Sequence, residues 1–144
     1  MKVVLDTNVV VSGLINKEGA CGHILSLLFA GLLQPGVDDR IVHEYETVLA
    51  RPLFRILPDD AQEALRIIRL RAERAASLPL RVALPDPSDL PFLEVAAAAE
   101  AILVTGNARH FPRHARAGVT VMTPKDFLDL LRGSARGRAN DSHQ

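Results

Sequence analysis

Short apolar runs alternate with longer amphipathic stretches along the 144-residue chain. The run Val3-Val4-Leu5 is apolar without alternation, which is typical of a strand buried on both faces of a sheet. Residues 101–104 have the same character. Residues 32–37 include Pro35 and Gly36, so a strand there is expected to be short or interrupted. The pattern therefore predicts several short, buried strands.

Helical periodicity fills the stretches between these runs. Residues 20–33 are apolar around most of a helix surface, which indicates a largely buried helix. Residues 39–50 carry an apolar stripe at i, i+3, i+4, i+7 and i+8, with an aspartate as the helix cap. An arginine-rich helix is predicted over 59–77 and an alanine-rich helix over 92–100, after a turn that contains several prolines.

Strands and helices alternate, which favours an α/β fold with a parallel sheet and helices on both of its sides. Parallel strands present their carboxyl ends at one edge, where open sheets bind ligands. Asp6 follows the first strand and Asn107 follows the strand at 101–104. These two side chains are therefore expected at the same edge, beside the helix start that Asp89 marks.

The composition is that of one compact domain. Hydrophobic residues make up 48% of the chain but are depleted after Leu131, so we expect a single domain over 1–132 and a flexible tail over 133–144. The 17 basic and 17 acidic residues balance, so no overall charge attracts nucleic acid or a membrane. The single cysteine excludes an intramolecular disulfide. The chain shows neither a long apolar run nor a signal-peptide pattern, which predicts a cytoplasmic protein with no membrane partner.

Acidic residues recur at positions where ligands are expected. Asp86 and Asp89 bracket the proline-rich turn, and Glu44 lies on the edge of the apolar stripe of the helix at 39–50. Helix capping and a surface rim explain each acid taken alone. Carboxylates that converge on Asp6 repel one another and lose solvation, and a divalent cation offsets both costs. Oxygen ligands select Mg²⁺ or Mn²⁺.

The histidine and arginine residues indicate a functional role less clearly than the acidic residues do. His43, His110 and His114 are interpreted as surface residues, because oxygen ligands already supply the predicted metal site, and His110 is also a candidate RNA contact. The arginines in the middle of the chain form either a solvated helix face or a rim that contacts phosphates. Taken alone, the solvated face is the simpler interpretation.

Four segments follow one another in a characteristic order. They are Val4-Leu5-Asp6-Thr7-Asn8, Glu44-Tyr45, Asp86-Pro87-Ser88-Asp89 with Phe92-Leu93, and Val104-Thr105-Gly106-Asn107. In this order they resemble the PIN-domain ribonucleases, and in particular the VapC-like toxin components of bacterial and archaeal toxin–antitoxin modules. Residues 121–128 are similar to the last strand and helix of that family. The resemblance extends to about Leu131 and implies a three-layer α/β/α sandwich around a central parallel sheet.

The resemblance implies an endoribonuclease that hydrolyses RNA with Mg²⁺ or Mn²⁺ as cofactor. Asp6, Glu44 and Asp89 match the core acidic positions of the family and are the expected catalytic residues and metal ligands. Asn107 matches a position where many members carry a further aspartate, so the site loses one negative charge. Asp86 is an additional acid that can compensate, and both Asp86 and Asn107 are expected metal ligands.

The resemblance also implies supporting residues and partners. Asn8 and Thr105 match polar positions that usually hold the acidic centre through hydrogen bonds. Arg51, Arg55 and Arg109 are candidate contacts for the RNA backbone. Toxins of this kind normally pair with a small antitoxin protein and commonly form homodimers, so both partners are expected.

Two other functions remain open. A catalytically degenerate PIN domain would bind RNA or a protein partner without cleavage, and Asn107 in place of an aspartate favours this alternative. A haloacid-dehalogenase-like phosphatase would use Asp6 as a phosphoryl-accepting nucleophile. Those enzymes normally place an acid two residues later, where this chain has Asn8, and no suitably placed lysine accompanies it.

Overall fold

The computed structural model of the protein describes residues 1–141 and the side chains of residues 1–133. The predicted flexible tail at 133–144 lies almost entirely outside the residues described with side chains, and residues 142–144 lie outside the described chain. That tail therefore stays a prediction.

Five strands form one parallel sheet. They are β1 (Lys2–Leu5), β2 (Gln34–Val37), β3 (Glu73–Arg74), β4 (Ile102–Val104) and β5 (Val121–Met122), in the spatial order β3-β2-β1-β4-β5. Each neighbouring pair runs parallel. The central strand β1 pairs with β4 in a register that sets Leu5 beside Val104. The carboxyl ends of these two strands therefore lie side by side.

Six helices flank the sheet and complete the three-layer sandwich that the sequence predicted. They are α1 (Thr7–Ile15), α2 (Ala20–Phe29), α3 (Asp39–Leu49), α4 (Pro58–Arg71), α5 (Leu90–Ala99) and α6 (Pro124–Asp141). Short 3-10 turns lie at Pro52–Phe54, Pro87–Asp89, Ala108–His110 and Arg113–Ala115. A search of the described residues for an apolar helix of membrane-spanning length finds none.

The helix predicted over 59–77 is wrong at its carboxyl end. Helix α4 ends at Arg71, and the following residues form β3 against the edge of β2. Ala72 and Ala75 continue the helical spacing, but the N–H of Ala75 donates to the carbonyl of Val37 at 3.1 Å. An open strand edge next to the chain therefore overrides the local helical pattern, because pairing with it satisfies backbone groups that the helix end would leave free.

Helix α2 also ends before its predicted boundary at residue 33. Gly31 takes a left-handed conformation with φ of 81°, which favours glycine. The N–H of Leu32 donates to the carbonyl of Leu27 at 2.9 Å, and the N–H of Gly31 donates to that of Leu28 at 3.0 Å. This pair of hydrogen bonds is the Schellman ending of a helix, so the chain turns here into β2.

Small residues bring α5 close to the sheet, as the alanine-rich pattern predicted. A Cβ atom at Gly36 of β2 would lie 3.3 Å from Val4, 3.5 Å from Val95 and 3.6 Å from the Cβ of Ala99. Val3 and Val4 are fully buried between the helical layers. The core therefore forms around β1, and it fixes the position of the residues at the end of that strand.

Candidate active site

The ends of β1 and β4 hold one buried acid in place. The N–H of Asp6 donates to the carbonyl of Val104 at 2.9 Å, and the hydroxyl of Thr105 donates to Asp6 Oδ2 at 2.7 Å. Thr105 is fully buried. Its hydroxyl oxygen in turn accepts from the N–H of Asn107 at 3.0 Å. The side chain of Asp6 is thus oriented by the neighbouring strand.

Asn8 connects the same two strand ends through a different contact. Its Oδ1 accepts a hydrogen bond from the N–H of Gly106 at 3.1 Å. This bond holds the turn that leads from Thr105 to Asn107 against the start of α1. Because Asn8 is engaged with the backbone, it does not act as the proton donor that a phosphatase of the dehalogenase type places there.

Helix α3 brings Glu44 to the end of β1. Asp38 caps this helix by accepting from the N–H of Ile41 at 3.0 Å. Further along α3, the hydroxyl of Thr7 donates to a carboxylate oxygen of Glu44, and the buried hydroxyl of Tyr45 donates to the carbonyl of Leu5. Glu44 therefore contacts the residue that follows Asp6, rather than Asp6 itself.

The turn before α5 presents two acids of different character. Asp86 Oδ1 accepts from the N–H of Ser88 at 2.9 Å and from its hydroxyl at 2.7 Å, and these bonds lower the pKa of Asp86. Asp89 makes no capping hydrogen bond with its side chain and is 8% exposed. Hydrogen bonds from Ser88 therefore favour the ionised form of Asp86, whereas the buried Asp89 carboxylate makes no capping hydrogen bond.

His110 lies against Asp89, which the sequence interpretation of it as a surface residue did not anticipate. Its Nδ1 is 2.9 Å from Asp89 Oδ2, and its Nε2 is 2.8 Å from Asn107 Nδ2. The 3-10 turn Ala108–His110 produces this position, because it folds His110 back over Asn107. In the sequence, only the spacing of three residues between Asn107 and His110 indicated this contact, and that spacing is common in turns.

Burial makes the two inward-facing acids unfavourable as charges. Desolvation raises the pKa of Asp6, and the hydrogen bond from Thr105 only partly opposes it. Desolvation, followed by the charge of Asp6, raises the pKa of Asp89 to about 6, while the nearby His110 acts in the opposite direction. The hydrogen bond from Thr105 and the nearby His110 therefore compensate the ionised forms of these acids only in part.

The residues present fit a divalent cation. Asp89 Oδ2 is buried and has no hydrogen bond of adequate geometry among the described residues. One potential ligand atom from each of Asp86, Asp89 and His110 lies within 4.8 Å of the others. Asp6 and Glu44 fall outside this group in the described chain, although Asp6 acts electrostatically on Asp89. Of the predicted metal ligands, the fold therefore brings Asp86 and Asp89 within the distance of a shared ion.

The predicted RNA-contacting arginines are not all near this cluster. Arg109 is exposed and adjacent to His110 in the same turn. Arg51 and Arg55 are exposed on either side of the turn Pro52–Phe54 after α3, and in the described residues neither pairs with the acids of the site.

Most of the arginine-rich face of α4 is occupied by ion pairs. Arg66 pairs with Glu63, Arg69 with Glu46, and Arg74, just after the helix, with Asp39. These pairs favour the solvated-face interpretation of the arginine-rich region over a phosphate-binding rim.

Comparisons with known proteins agree with this architecture. A family model described as a PIN domain matches residues 2–109. An uncharacterized protein from Methanocaldococcus jannaschii is 26% identical over an alignment of 140 residues, and the match covers 90% of each chain. Among solved structures, VapBC2 from Rickettsia felis bound to a DNA fragment from their promoter contains a chain with 21% identity and a TM-score of 0.55. That match covers 85% of this chain and 98% of the other.

Proposed function

Because the chain belongs to the PIN-domain family, we propose that it is a divalent-metal-dependent endoribonuclease that acts as the toxin of a toxin–antitoxin pair. The observation that carries the proposal is the pair of buried acids, Asp6 and Asp89, in which the charge of Asp6 raises the pKa of Asp89. Two buried carboxylates that lose solvation on ionisation give the fold no gain in stability. A divalent cation at this site would offset that cost and would supply the metal that the proposed RNA hydrolysis requires.

Asp6 and Asp89 are the proposed principal metal ligands, with Asp86, Glu44 and Asn107 as further members of the site. A bound Mg²⁺ or Mn²⁺ supplies Lewis-acid polarisation of the scissile phosphate and a lowered pKa for a bound water. Thr105 holds Asp6 in one orientation, and the Ser88 hydrogen bonds hold Asp86 ionised.

Glu44 and Arg109 have proposed roles outside direct ligation. We propose that Glu44 accepts a hydrogen bond from the attacking water, and the hydrogen bond from Thr7 that orients its carboxylate supports this role. We propose that Arg109 binds the RNA backbone without reading its sequence, and its exposure supports this role. The expected products carry a 5′-phosphate and a 3′-hydroxyl.

A small antitoxin and a second copy of the chain are the proposed protein partners. The R. felis neighbour is named as a VapBC2 assembly, which is the support for an antitoxin. A largely apolar groove of about 420 Å³ lies between α2 and α6, with Leu27, Leu128 and Leu131 in its lining and the polar residues His23, Ser26 and Arg132 beside them. It supports the homodimer, because a second copy of the chain would remove this apolar surface from water.

A second candidate function is RNA or protein binding without cleavage. Its support is Asn107, whose amide nitrogen contacts the ring of His110 and which carries no charge. The two functions differ in one measurable property, because a degenerate site need not bind a metal.

The proposed function is tested by incubating the full chain with labelled single-stranded RNAs and a tRNA pool, with Mg²⁺, with Mn²⁺ and with EDTA. Asp6→Asn is the matched variant, because its amide oxygen can still accept from Thr105 while the charge is lost. We expect metal-dependent cleavage by the wild type and a loss of at least about a hundredfold in the variant, with an unchanged circular dichroism spectrum.

Cleavage retained by a pure Asp6→Asn preparation contradicts the proposed mechanism. Absence of cleavage with every metal favours the degenerate alternative when calorimetry also detects no Mn²⁺ binding.

A further inference from the structure

We propose that His110 is a nitrogen ligand of the metal site, which makes it a mixed nitrogen–oxygen centre that prefers Mn²⁺ to Mg²⁺. The inference deepens the proposed function and rests on it for the presence of a metal. It concerns a residue that the sequence placed at the surface. The evidence is the geometry of three side chains, Asp89, His110 and Asn107.

Asp89 supplies the first part of the evidence. It is nine-tenths buried, and its Oδ2 has no hydrogen bond of adequate geometry in the described residues. The nearest cationic or donor group is His110 Nδ1 at 2.9 Å. This contact is an ion pair only when His110 is protonated, so a neutral imidazole leaves the buried carboxylate without a compensating positive charge.

The separation of these two atoms suits a shared cation. Octahedral coordination with metal–ligand bonds of about 2.1 Å places neighbouring ligand atoms about 3.0 Å apart. The observed distance of 2.9 Å between Asp89 Oδ2 and His110 Nδ1 agrees with that value. An oxygen of Asp86 lies within 4.8 Å of both groups. One ion can therefore be reached from all three side chains with small rotations.

Asn107 gives the imidazole a partner on its other side. Its Nδ2 is 2.8 Å from His110 Nε2, so the amide donates to the unprotonated ring nitrogen. In a metal-bound state the neutral ring would take its other tautomer, in which the single N–H is on Nε2 instead of Nδ1, and the amide rotated by half a turn would accept it. An asparagine serves both states of the ring, whereas an ionised aspartate can only accept. Asn107 is thus a positioning residue for His110.

An imidazole changes which metal the site prefers. Carboxylate oxygens suit Mg²⁺ and Mn²⁺ alike, whereas nitrogen ligands favour the later transition-metal ions. The site also has one carboxylate fewer than it would have with an aspartate at 107, which weakens Mg²⁺ in particular because that ion depends on charge. Both effects act in the direction of Mn²⁺.

The experiment is electron spin-echo spectroscopy of the full chain loaded with Mn²⁺ alone. We expect a nitrogen modulation in the wild type that changes from the ¹⁴N to the ¹⁵N frequencies when only histidine is labelled with ¹⁵N. His110→Asn should lose the modulation, and its ratio of Mn²⁺ to Mg²⁺ affinity by calorimetry should fall about tenfold or more. His114→Asn, which removes an exposed histidine from the next turn, should retain both properties.

The wild-type spectrum decides the inference even when His110→Asn does not fold. A Mn²⁺ signal without histidine nitrogen coupling overturns it, as does coupling that persists in folded His110→Asn or a protein that binds no Mn²⁺. Nitrogen coupling in a protein that cleaves no RNA supports the histidine ligand and contradicts only the ribonuclease.

Discussion

At the scale of single residues, the site combines acids whose environments differ sharply. Asp86 is kept ionised by two hydrogen bonds from Ser88, whereas Asp6 and Asp89 are buried and lose solvation when they ionise. This difference in solvation between Asp86 and the two buried acids suits a metal site. In the proposed metal site a cation would meet the ionised Asp86 first and would gain further binding free energy by stabilising the charges of Asp6 and Asp89.

Asp89 yields a prediction about stability and pH. Its pKa is about 6 in the fold against 3.8 as the reference value, so its ionised form opposes folding above that range, and the penalty disappears as the group is protonated on acidification. In EDTA, Asp89→Asn should therefore melt at a higher temperature than the wild type near pH 7.5 and lose about half of this advantage near pH 5, because an unfolded group with the reference pKa of 3.8 is still ionised there. Differential scanning calorimetry at both pH values measures it.

Added Mn²⁺ should reverse this order at the higher pH, since it binds the wild type and stabilises it by mass action. A variant that melts below the wild type in EDTA at both pH values would show that Asp89 contributes to stability through contacts rather than opposing folding by its charge.

At the scale of elements, the segment between β3 and α5 is held by one buried acid. Glu94 of α5 accepts from Arg40 of α3 at 2.7 Å and from the N–H of Leu80 at 2.7 Å. Arg40 also donates to the hydroxyl of Ser77 at 3.2 Å. The segment that ends at Asp86 contains no regular structure between β3 and the 3-10 turn. Its path to the site therefore depends on these side-chain contacts.

Replacing Glu94 tests this dependence. We expect Glu94→Ala to lower the free energy of unfolding by about 2 kcal/mol, because two hydrogen bonds to a charged acceptor are lost and the amide of Leu80 is left unpaired. Hydrogen exchange at Leu80 should become faster, and Mn²⁺ affinity should fall because Asp86 is held less well. Chemical denaturation and hydrogen-exchange mass spectrometry measure these effects.

Glu63→Ala is the control, since it removes an exposed ion pair with Arg66 on α4. It should leave exchange at Leu80 and metal affinity unchanged. Equal effects of the two variants would show that the segment does not depend on Glu94.

The end of α5 offers a separate prediction of increased stability. Glu100 ends this helix in a left-handed conformation with φ of 54° and ψ of 45°, which costs energy for any residue with a side chain. Glu100→Gly should raise the free energy of unfolding by about 0.5–1 kcal/mol and leave cleavage unaffected. Urea denaturation checks the gain, and a loss of stability would mean that the Glu100 side chain makes a compensating contact.

At the scale of the whole molecule, the groove between α2 and α6 is the proposed contact surface of the homodimer. Leu131→Glu should convert the proposed dimer into a monomer, because the new carboxylate would lose its solvation when the apolar contact forms. Leu70→Glu, on an exposed position of α4, should remain dimeric. Multi-angle light scattering of the folded proteins distinguishes the two. A monomeric wild type at high concentration would contradict the homodimer.

Much of the fold was predictable because burial on both faces of a strand leaves a clear sequence pattern. The run Val3-Val4-Leu5 and the strand at 101–104 predicted the centre of the sheet, and the aspartate cap of α3 was equally visible. The glycine at 31 would have set the end of α2 correctly. Strand β3 was missed because two residues, Glu73 and Arg74, have no periodicity of their own.

The sequence by itself determined the order of elements, the parallel sheet and the acids at its carboxyl edge, because local patterning and chain alternation encode them. The tertiary structure alone decided where α4 stops and which residues touch within the site. It placed Glu44 on Thr7 and brought His110 onto Asp89. Such contacts arise from packing between distant segments, and a polar residue carries no local signal of the partner that packing will give it.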